Sequence, residues 1–442
     1  MSVIDFVCNV LFTRRFFLAI SVLVVIFEIF ANILIIQQVP YTEIDWKAYM
    51  QEVQGVLDGE RNYLHLRGDT GPLVYPAGFV WIYQVLFYVT DNGSNIQLAQ
   101  YIFMAIYIAT LIVVLAIFKH TRMPPALLAL LAVSKRMHSI FVLRLFNDTV
   151  AMLFAYTAIY AMVNSRSRHC VSRLSALLFS LGIAVKMNVQ LMLPGAAFIW
   201  WRQGGLLAVT NQLLIIAVTQ AALAAPFLAT YPKEYLARAF DFARQFDYTW
   251  TVNWRFVGKD VFISQQWSIF LLSIHLALLA TLWLVLWPRL SQNSAWSIIK
   301  SGLMRADKAQ ILVSPSSSSS NISTSSGAEE IITVIFMSNF VGIVCARSLH
   351  YQFYSWYFHM LPYLLYLAQL HPVILAATWF AIEYAWNVYP STVFSSLTLL
   401  TAHVLLLAAV MYRMTLNPSS SSKAEAEEAK TKAKTKAKSK TM

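Results

Sequence analysis

Residues 16–36 read FFLAISVLVVIFEIFANILII, a nearly unbroken apolar run near the start of the chain. A helix crosses the hydrocarbon core of a bilayer with about 20 consecutive apolar residues, so this run predicts a membrane span. Arg14 and Arg15 stand directly before it, and basic residues are typical of the cytosolic flank of a span. The run is too long for a signal peptide, and we expect an anchor with a cytosolic N-terminus.

The same pattern recurs along the chain. Clear apolar runs cover residues 97–118, 205–229, 268–287, 331–346 and 392–412. Weaker runs that contain Pro, His, Arg or Glu cover residues 73–90, 124–143, 147–163, 174–201, 351–369 and 372–389. Because backbone polar groups in lipid must be satisfied within helices, we expect an all-α polytopic membrane protein with about 11–13 transmembrane helices.

Composition supports a membrane protein. Of the 442 residues, 58% are hydrophobic and 12% charged, whereas about a quarter of an average soluble domain is charged. The net charge of +12 owes much to the tail from Lys423 to Lys440, which we interpret as a solvated tail, and we expect no nucleic-acid partner. Cys8, Cys170 and Cys345 have no metal-like spacing, so neither a zinc site nor a disulfide framework is expected.

The last five residues contain two lysines at the spacing of a sorting signal. Lys438 and Lys440 stand five and three positions from the terminus when Met442 is counted as the first. This spacing resembles the KxKxx retrieval signal of endoplasmic reticulum membrane proteins, which works on a cytosolic tail. It therefore predicts an endoplasmic reticulum protein whose C-terminal tail is cytosolic.

A polar stretch, residues 37–71, follows the first span. Within it, Trp46, Met50, Val53 and Leu57 recur at the spacing of one helical face, which predicts a short amphipathic helix on the membrane surface. Loops on rigid scaffolds often carry the chemistry of an enzyme. This stretch is therefore the first place to look for catalytic groups.

Two carboxylates, Glu43 and Asp45, stand just before that helix. A carboxylate can accept the proton of an attacking hydroxyl, and we predict Asp45 as the catalytic base with Glu43 in reserve. The alternative is structural: Thr42 and Asp45 match a capping box, in which Asp45 only satisfies a free backbone N–H at the helix start.

Residues 68–78 are rich in Gly and Pro, which predicts a rigid turn re-entering the membrane with Asp69 and Tyr75 at its rim. We treat both as substrate-binding candidates, although turn geometry explains the glycines equally well. Ionisable residues within membrane segments raise the free energy of insertion by roughly 2.5–3.5 kcal/mol and are usually retained for a task. On that ground the further binding candidates are Arg144, Asn147, Asp148, Lys186, Asn188, Asn253 and Arg255.

The segment from Arg347 to Tyr357 combines charge with aromatic rings. On a helix, Arg347, Tyr351 and Tyr354 would share one face, and an arginine there can bind a phosphate through two hydrogen bonds. The alternative is an interfacial aromatic belt with a snorkelling arginine. Our candidates for substrate binding in this segment are Arg347, His350, Tyr351, Gln352 and Trp356.

Six motifs together carry a resemblance to a known family. They are TEIDWKAYM (42–50), GDTGPLVYPAGF (68–79), RLFND (144–148), VKMNVQL (185–191), WTVNWRF (250–256) and ARSLHYQFYSWY (346–357). The chain resembles the dolichyl-phosphate-mannose-dependent α-1,3-mannosyltransferases of N-glycosylation, which form glycosyltransferase family 58 of the GT-C superfamily. The motifs are spread over most of the chain.

The resemblance implies a GT-C type fold with its active site on the lumenal side, beneath a first loop that contains amphipathic helices. It implies dolichyl phosphate mannose as the donor and a dolichyl-diphosphate pentamannosyl oligosaccharide as the acceptor, with inversion at the anomeric carbon. Asp45 would then be the base and Arg347 would hold the donor phosphate. No metal or other cofactor is expected.

On this interpretation the chain divides into six parts: a cytosolic N-terminus with the first span (1–36), a lumenal catalytic loop (37–72), a transmembrane bundle (73–313), a serine-rich linker (314–328), C-terminal transmembrane helices (329–413) and a lysine-rich cytosolic tail (414–442). Two other functions remain open. One is a mannosyltransferase for a different lipid-linked acceptor. The other is a membrane transporter or flippase, which would favour paired broken helices in two related halves, and no such repeat is visible.

Overall fold

The computed structural model describes residues 9–164, 168–241, 244, 246–291, 293–304 and 323–416. Several predictions fall outside these residues: Cys8, the side chain of Cys170, most of the serine-rich linker, and the lysine-rich tail from residue 417, which holds Lys438 and Lys440. The last residues of the expected linker, from Ser323, already belong to a helix.

Helices make up almost all of the described structure. The α-helices are α1 Phe17–Gln38, α2 Trp46–Leu57, α3 Ala77–Val89, α4 Ile96–Phe118, α5 Lys135–His138, α6 Asp148–Val163, α7 Arg168–Val185, α8 Leu193–Leu223, α9 Ala225–Leu228, α10 Pro232–Ala239, α11 Lys259–Ile263, α12 Gln265–Thr281, α13 Trp287–Leu290, α14 Ala295–Leu303, α15 Ser323–Val344, α16 Leu361–Ala368, α17 Pro372–Asn387 and α18 Val393–Thr415. Short 3-10 segments include Pro125–Ala132, Met187–Met192 and Tyr351–Trp356, and a π-helix covers Ser139–Leu143. Two strands, β1 Arg67–Gly68 and β2 Gly71–Pro72, form an antiparallel hairpin.

Six helical stretches of the described residues are long and apolar enough to cross a membrane: Arg14–Gln38, Ile96–Phe118, Met187–Leu223, Gln265–Leu290, Gly327–Val344 and Val393–Thr415. A seventh arises if the segments Pro125–Ala132 and Lys135–Leu143, which are bent by 48° against each other, count as one span. The polytopic helical fold is thereby confirmed.

The number of long spans is smaller than the expected count of about 11–13 full crossings. The weaker apolar runs explain the difference, because several form shorter elements. Residues 73–90 and 147–163 give helices of 13 and 16 residues, and residues 351–369 give 3-10 turns followed by an eight-residue helix. Prolines and polar groups in these runs break the helices before they reach the length of a bilayer.

The predicted amphipathic helix exists as α2, and its apolar residues Trp46, Met50 and Val53 are buried. A helix on the membrane surface would turn these residues towards lipid, so this part of the prediction is wrong. They pack with Tyr83 and Phe103 of α3 and α4 in a second hydrophobic core beside the main one. The indole N–H of Trp46 also donates to the backbone oxygen of Gly93 at 2.9 Å. The first loop is thereby fixed to the bundle.

Candidate active site

A cavity of about 1530 Å³ lies between the first loop, the segment around residues 238–250 and the segment around residues 342–356. Small-molecule sites are typically about 300–1000 Å³, so this one has room for more than one sugar. Residues from all six motifs line it, including Asp45, Tyr75, Arg144, Lys186, Trp250 and Arg347. The sequence motifs therefore converge on a single space.

The hairpin that forms one wall is held tightly against α2. A Cβ atom at Gly68 would lie 2.5 Å from the Cα of Ala48, so only glycine allows this approach. The close contact brings Thr70, Gly71 and Tyr75 to the cavity beside Asp45. Local packing of the first loop thus shapes the entrance to the site.

Asp45 does not cap α2. The helix begins at Trp46, and the side chain of Asp45 makes no capping hydrogen bond. Glu43 takes that role: its Oε1 accepts from the backbone N–H of Lys47 at 3.1 Å, and its Oε2 accepts from the Tyr41 hydroxyl at 2.7 Å. The capping interpretation of Asp45 is therefore wrong. Its carboxylate faces the cavity, whereas Glu43 does not line it.

The surroundings of Asp45 tune its basicity. Burial raises the pKa of Asp45, the positive charge of Lys186 opposes that rise, and the negative charge of Asp148 adds to it. Hydrogen bonds from Thr70 and from Tyr49, whose hydroxyl lies 3.4 Å from Oδ2, also favour the carboxylate. A carboxylate with a raised pKa accepts a proton more readily than one in water.

Behind Asp45 lies a buried network around Lys186. Its ammonium contacts Asp148 Oδ2 at 2.6 Å and Asn147 Oδ1 at 3.0 Å. The indole N–H of Trp356 donates to Asp148 Oδ1 at 2.5 Å, and the rings of Tyr75 and Phe353 lie 5.4 Å from the ammonium. Asn147 and Asp148 do not line the cavity themselves. They hold the lysine that does.

Arginines give the cavity a strongly positive lining: Arg136, Arg144, Arg238, Arg244 and Arg347. Arg347 donates to the backbone oxygen of Arg244 and approaches Ser268 Oγ at 3.4 Å. These groups suit a substrate that carries phosphate, since guanidinium groups bind phosphate oxygens in pairs. Asp241 and Asp247 also line this region and offset part of the charge.

His350 is neutral rather than cationic. It lies between the rings of Phe246 and Phe353, with ring centroids 4.8 and 5.3 Å away, and its Nε2 has no hydrogen-bond partner among the described residues. Burial, followed by the charges of Lys186 and Arg244, lowers the pKa of His350 to about 4. The imidazole therefore offers hydrogen bonds to a substrate but no charge.

The segment that carries Arg347 is not helical before Tyr351, so our expectation that Arg347, Tyr351 and Tyr354 share a helical face is wrong. The Tyr351 hydroxyl donates to the backbone oxygen of Val388, and the buried Tyr354 hydroxyl donates to Glu383, both at 2.7 Å. The aromatic residues thus serve different neighbours. Only Tyr351 of the two tyrosines lines the cavity.

Comparison with known proteins decides the family. A family model described as "ALG3 protein" matches residues 22–396. The chain belongs to the ALG3 family. Relatives named Dol-P-Man:Man(5)GlcNAc(2)-PP-Dol alpha-1,3-mannosyltransferase include one from Neurospora crassa, 44% identical over 82% of this chain and 80% of its own. Those of Mus musculus and Homo sapiens are each 41% identical, over 92% and 89% of this chain and 88% and 86% of their own. No solved structure matches.

Asn253 and Arg255, two of the predicted substrate-binding residues of this ALG3 family chain, lie outside the cavity. Asn253 accepts from the backbone N–H of Leu349 and donates to the backbone oxygen of Ala346, both at 2.8 Å. Arg255 donates to the backbone oxygen of Tyr248 at 2.6 Å and stacks on its ring. Neither lines the cavity. Asn253 instead fixes the segment that presents Arg347.

Asp69 also lies away from the cavity lining. It pairs with Lys47 at 2.8 Å and accepts from Gln51 at 2.9 Å, so it joins the hairpin to α2 at the surface. In contrast, Asn188 and Gln352 line the cavity together with Tyr351 and Trp356. The buried Oδ1 of Asn188 has no partner among the described residues and is available to a substrate.

Sequence reasoning missed Tyr49, Glu52, Arg136, Arg238 and Arg244 of the ALG3 family site. The first two carry a signal: they follow Asp45 by four and seven positions, so they share its helical face. The arginines carry none, because nothing in their local sequence distinguishes them from basic residues at a membrane boundary. Within the described residues no group of three or more His, Cys, Asp or Glu could hold a metal ion.

Proposed function

We propose that this chain transfers mannose from dolichyl phosphate mannose to the pentamannosyl oligosaccharide Man5GlcNAc2 on dolichyl diphosphate, with formation of an α-1,3 linkage. The observation that carries the mechanism is the Asp45 carboxylate, which lines the cavity beside Lys186 and has no capping role. Family membership and the names of the relatives point to the same reaction.

In the proposed reaction, Asp45 accepts the proton of the acceptor's 3-hydroxyl as its oxygen attacks the anomeric carbon of the donor mannose. The new C–O bond forms on the face opposite the phosphate, and the bond to the phosphate oxygen breaks with its electron pair. Dolichyl phosphate leaves as an anion, and the β-linked donor gives an α-linked product. Arg347 and Arg244, which both line the cavity, hold the departing phosphate.

We place the enzyme in the endoplasmic reticulum membrane, with the cavity on the lumenal side. Helix α1 has 22 residues, or about 33 Å, and separates Arg14 at one end from the Asp45 loop at the other. Arg14 donates to the backbone oxygens of Lys119 and Met123 at 2.7 and 3.2 Å, so the basic stretch 119–122 lies at the same end. Basic residues favour the cytosolic side, which leaves the opposite end for the lumen.

The decisive experiment measures transfer of labelled mannose from dolichyl phosphate mannose to the synthetic pentamannosyl lipid by the purified protein, with linkage analysis of the product. Asp45→Asn should lower the rate of mannose transfer by roughly 100- to 10,000-fold, because the amide cannot accept the proton. Glu43→Gln is the matched control and should retain most of the activity. Transfer by the wild type to another position of the acceptor would refute the assigned reaction, and full activity of Asp45→Asn would refute the assigned base.

A further inference from the structure

Glu52 is a second carboxyl group on the face of α2 that carries the proposed base. It follows Asp45 by seven positions and Tyr49 by three, and residues at these spacings lie above one another on a helix. All three side chains line the cavity. Glu52 has no part in the mechanism proposed above.

The state of this side chain is unusual for a carboxyl group. Glu52 is only 4% exposed, and its Oε2 is buried without a hydrogen-bond partner among the described residues. A buried polar atom that lacks a partner is destabilising. Because Glu52 also faces a large cavity, a bound substrate is the group that can supply the missing hydrogen bond.

Asp45, directly before α2, and Glu52, within it, have different electrostatic surroundings. Burial, followed by the charge of Asp45, raises the pKa of Glu52 well above its usual range, and only Arg244 opposes the rise. Asp45 has Lys186, Thr70 and Tyr49 to stabilise its charge. This shift favours the protonated form of Glu52, in which one oxygen can donate a hydrogen bond while the other accepts one.

The spacing also separates the roles of the two groups. Seven residues of α-helix correspond to about 10 Å along the axis. The backbones of Asp45 and Glu52 therefore lie at different levels of the cavity wall, and we assign the attacking hydroxyl to Asp45 alone. A neutral carboxyl group that can both donate and accept is well suited to a sugar hydroxyl, which does the same.

We propose that Glu52 is a substrate-recognition residue, which binds a mannose hydroxyl other than the attacking one through a donated and an accepted hydrogen bond. This inference rests on the proposed function, in which donor and acceptor both present mannose to the cavity. The shared chemistry is the mannose hydroxyl, and kinetics assign it to one substrate or the other.

The first test compares Glu52→Gln and Glu52→Leu in the purified enzyme, with kcat and KM determined for each substrate. The amide of Gln still donates and accepts, so Glu52→Gln should stay within a fewfold of the wild type. Glu52→Leu should lower kcat/KM by about 10- to 100-fold through the loss of two hydrogen bonds. A rise in the donor KM assigns the hydroxyl to the donor, and a rise in the acceptor KM assigns it to the acceptor.

Substrate analogues sharpen the test. An analogue of the assigned substrate that lacks the recognised mannose hydroxyl should lower kcat/KM of the wild type by the same roughly 10- to 100-fold. In Glu52→Leu, which has already lost these hydrogen bonds, the same analogue should lower kcat/KM almost no further. Asp58→Leu, which removes an exposed carboxyl group at the end of the same helix, is the control and should behave as the wild type does. Gel filtration in detergent reports folding, and Glu52→Ala replaces Glu52→Leu if the larger apolar side chain prevents folding.

Two outcomes overturn the inference. Unchanged kinetics of Glu52→Leu would show that no substrate contacts the carboxyl group. Inactivity of folded Glu52→Gln would show a proton-transfer role instead of hydroxyl recognition. Either result leaves the proposed function intact as long as the wild type forms the α-1,3 product, whereas absence of that product refutes the proposed function itself.

Discussion

Two Lys–Asp ion pairs flank the proposed site, and they have nearly equal lengths. Lys186 and Asp148 are 2.6 Å apart, and Lys47 and Asp69 are 2.8 Å apart. Their exposure differs completely: the side chains of the first pair are 11% and 0% exposed, and those of the second are 66% and 55% exposed. Distance alone therefore says little about what an ion pair does for a protein.

The difference lies in what replaces a lost partner. Water takes over at once when an exposed pair is broken, so such pairs contribute little. A buried charge that loses its partner has no such replacement. In the buried pair, Lys186 also donates to Asn147 and lies near the ring of Tyr75, and Asp148 accepts from Trp356. The exposed pair joins only the hairpin to α2. Substitutions in and around the two ion pairs test this contrast.

The largest effect is expected from Asp148→Ala, which leaves the Lys186 ammonium buried without its counter-ion. Breaking a buried pair in this way typically destabilises a protein by about 3–5 kcal/mol. The melting temperature of the purified protein in detergent should fall steeply, and mannose transfer should be lost with it. Asp69→Ala serves as the matched control. Equal losses of stability in the two variants would contradict the contrast.

Trp356→Phe should have the next largest effect, because it removes the N–H group that donates to Asp148. A hydrogen bond to a charged group contributes about 1.5–3 kcal/mol, so the melting temperature should fall by less than in Asp148→Ala. Trp250→Phe is the control, because Trp250 is 45% exposed and makes no hydrogen bond to Asp148. An unchanged melting temperature of Trp356→Phe would show that the indole bond to Asp148 contributes nothing.

Lys186→Met also breaks the buried pair, and the pH profile of its residual activity reports the electrostatics of the site. The charge of Lys186 opposes the effect of burial on the pKa of Asp45, so its removal should raise that pKa further. Since the base must be deprotonated to act, the rise of kcat/KM on the acid side of its pH profile, the acid limb, should move to higher pH. Lys47→Met should leave the limb in place. A limb that stays put, or moves to lower pH, in Lys186→Met would contradict the assignment of Asp45 as the base.

The smallest effect is expected from Asp69→Asn. The hydrogen bonds from Lys47 and Gln51 lower the pKa of Asp69, so any stability from this carboxylate is present at neutral pH and is lost as pH falls through the lowered value. Because both partners are exposed, the melting temperature at pH 7 and the KM values should change little. A marked rise in either KM would instead restore Asp69 as a substrate-binding residue.

Hydropathy and spacing predicted much of this protein. Length and apolarity revealed the long spans, and the spacing from Trp46 to Leu57 predicted α2 because a helix must bury one face. The polar groups between apolar runs pointed to Lys186 and Asp148 for a sound reason, since charges in such places are retained only with partners. The cavity is lined by residues from each of the six quoted motifs.

The errors have physical causes that local sequence does not reveal. The capping box failed because α2 starts at Trp46, and the Glu43 oxygen reaches the free Lys47 N–H. The helical face expected for Arg347 failed because Asn253, almost a hundred positions earlier, binds the backbone at Ala346 and Leu349. Long-range hydrogen bonds of this kind override local periodicity, and a single sequence does not show them.

The hairpin beside Asp45, the proposed base, contains two glycines that are irreplaceable for different reasons. Gly71 has a φ of +144° and open space around it, so a side chain there would strain the backbone but touch nothing. Gly68 has no such backbone demand, yet a methyl group there would collide with Ala48. No change of a neighbouring side chain rescues either position. The first constraint lies in the backbone of Gly71 itself, and the second is a contact with the backbone of residue 48, 2.5 Å from its Cα and 2.6 Å from its carbonyl oxygen. Both glycines therefore fix the path of the hairpin backbone, Gly71 through its own torsion angle and Gly68 through its close distance to α2.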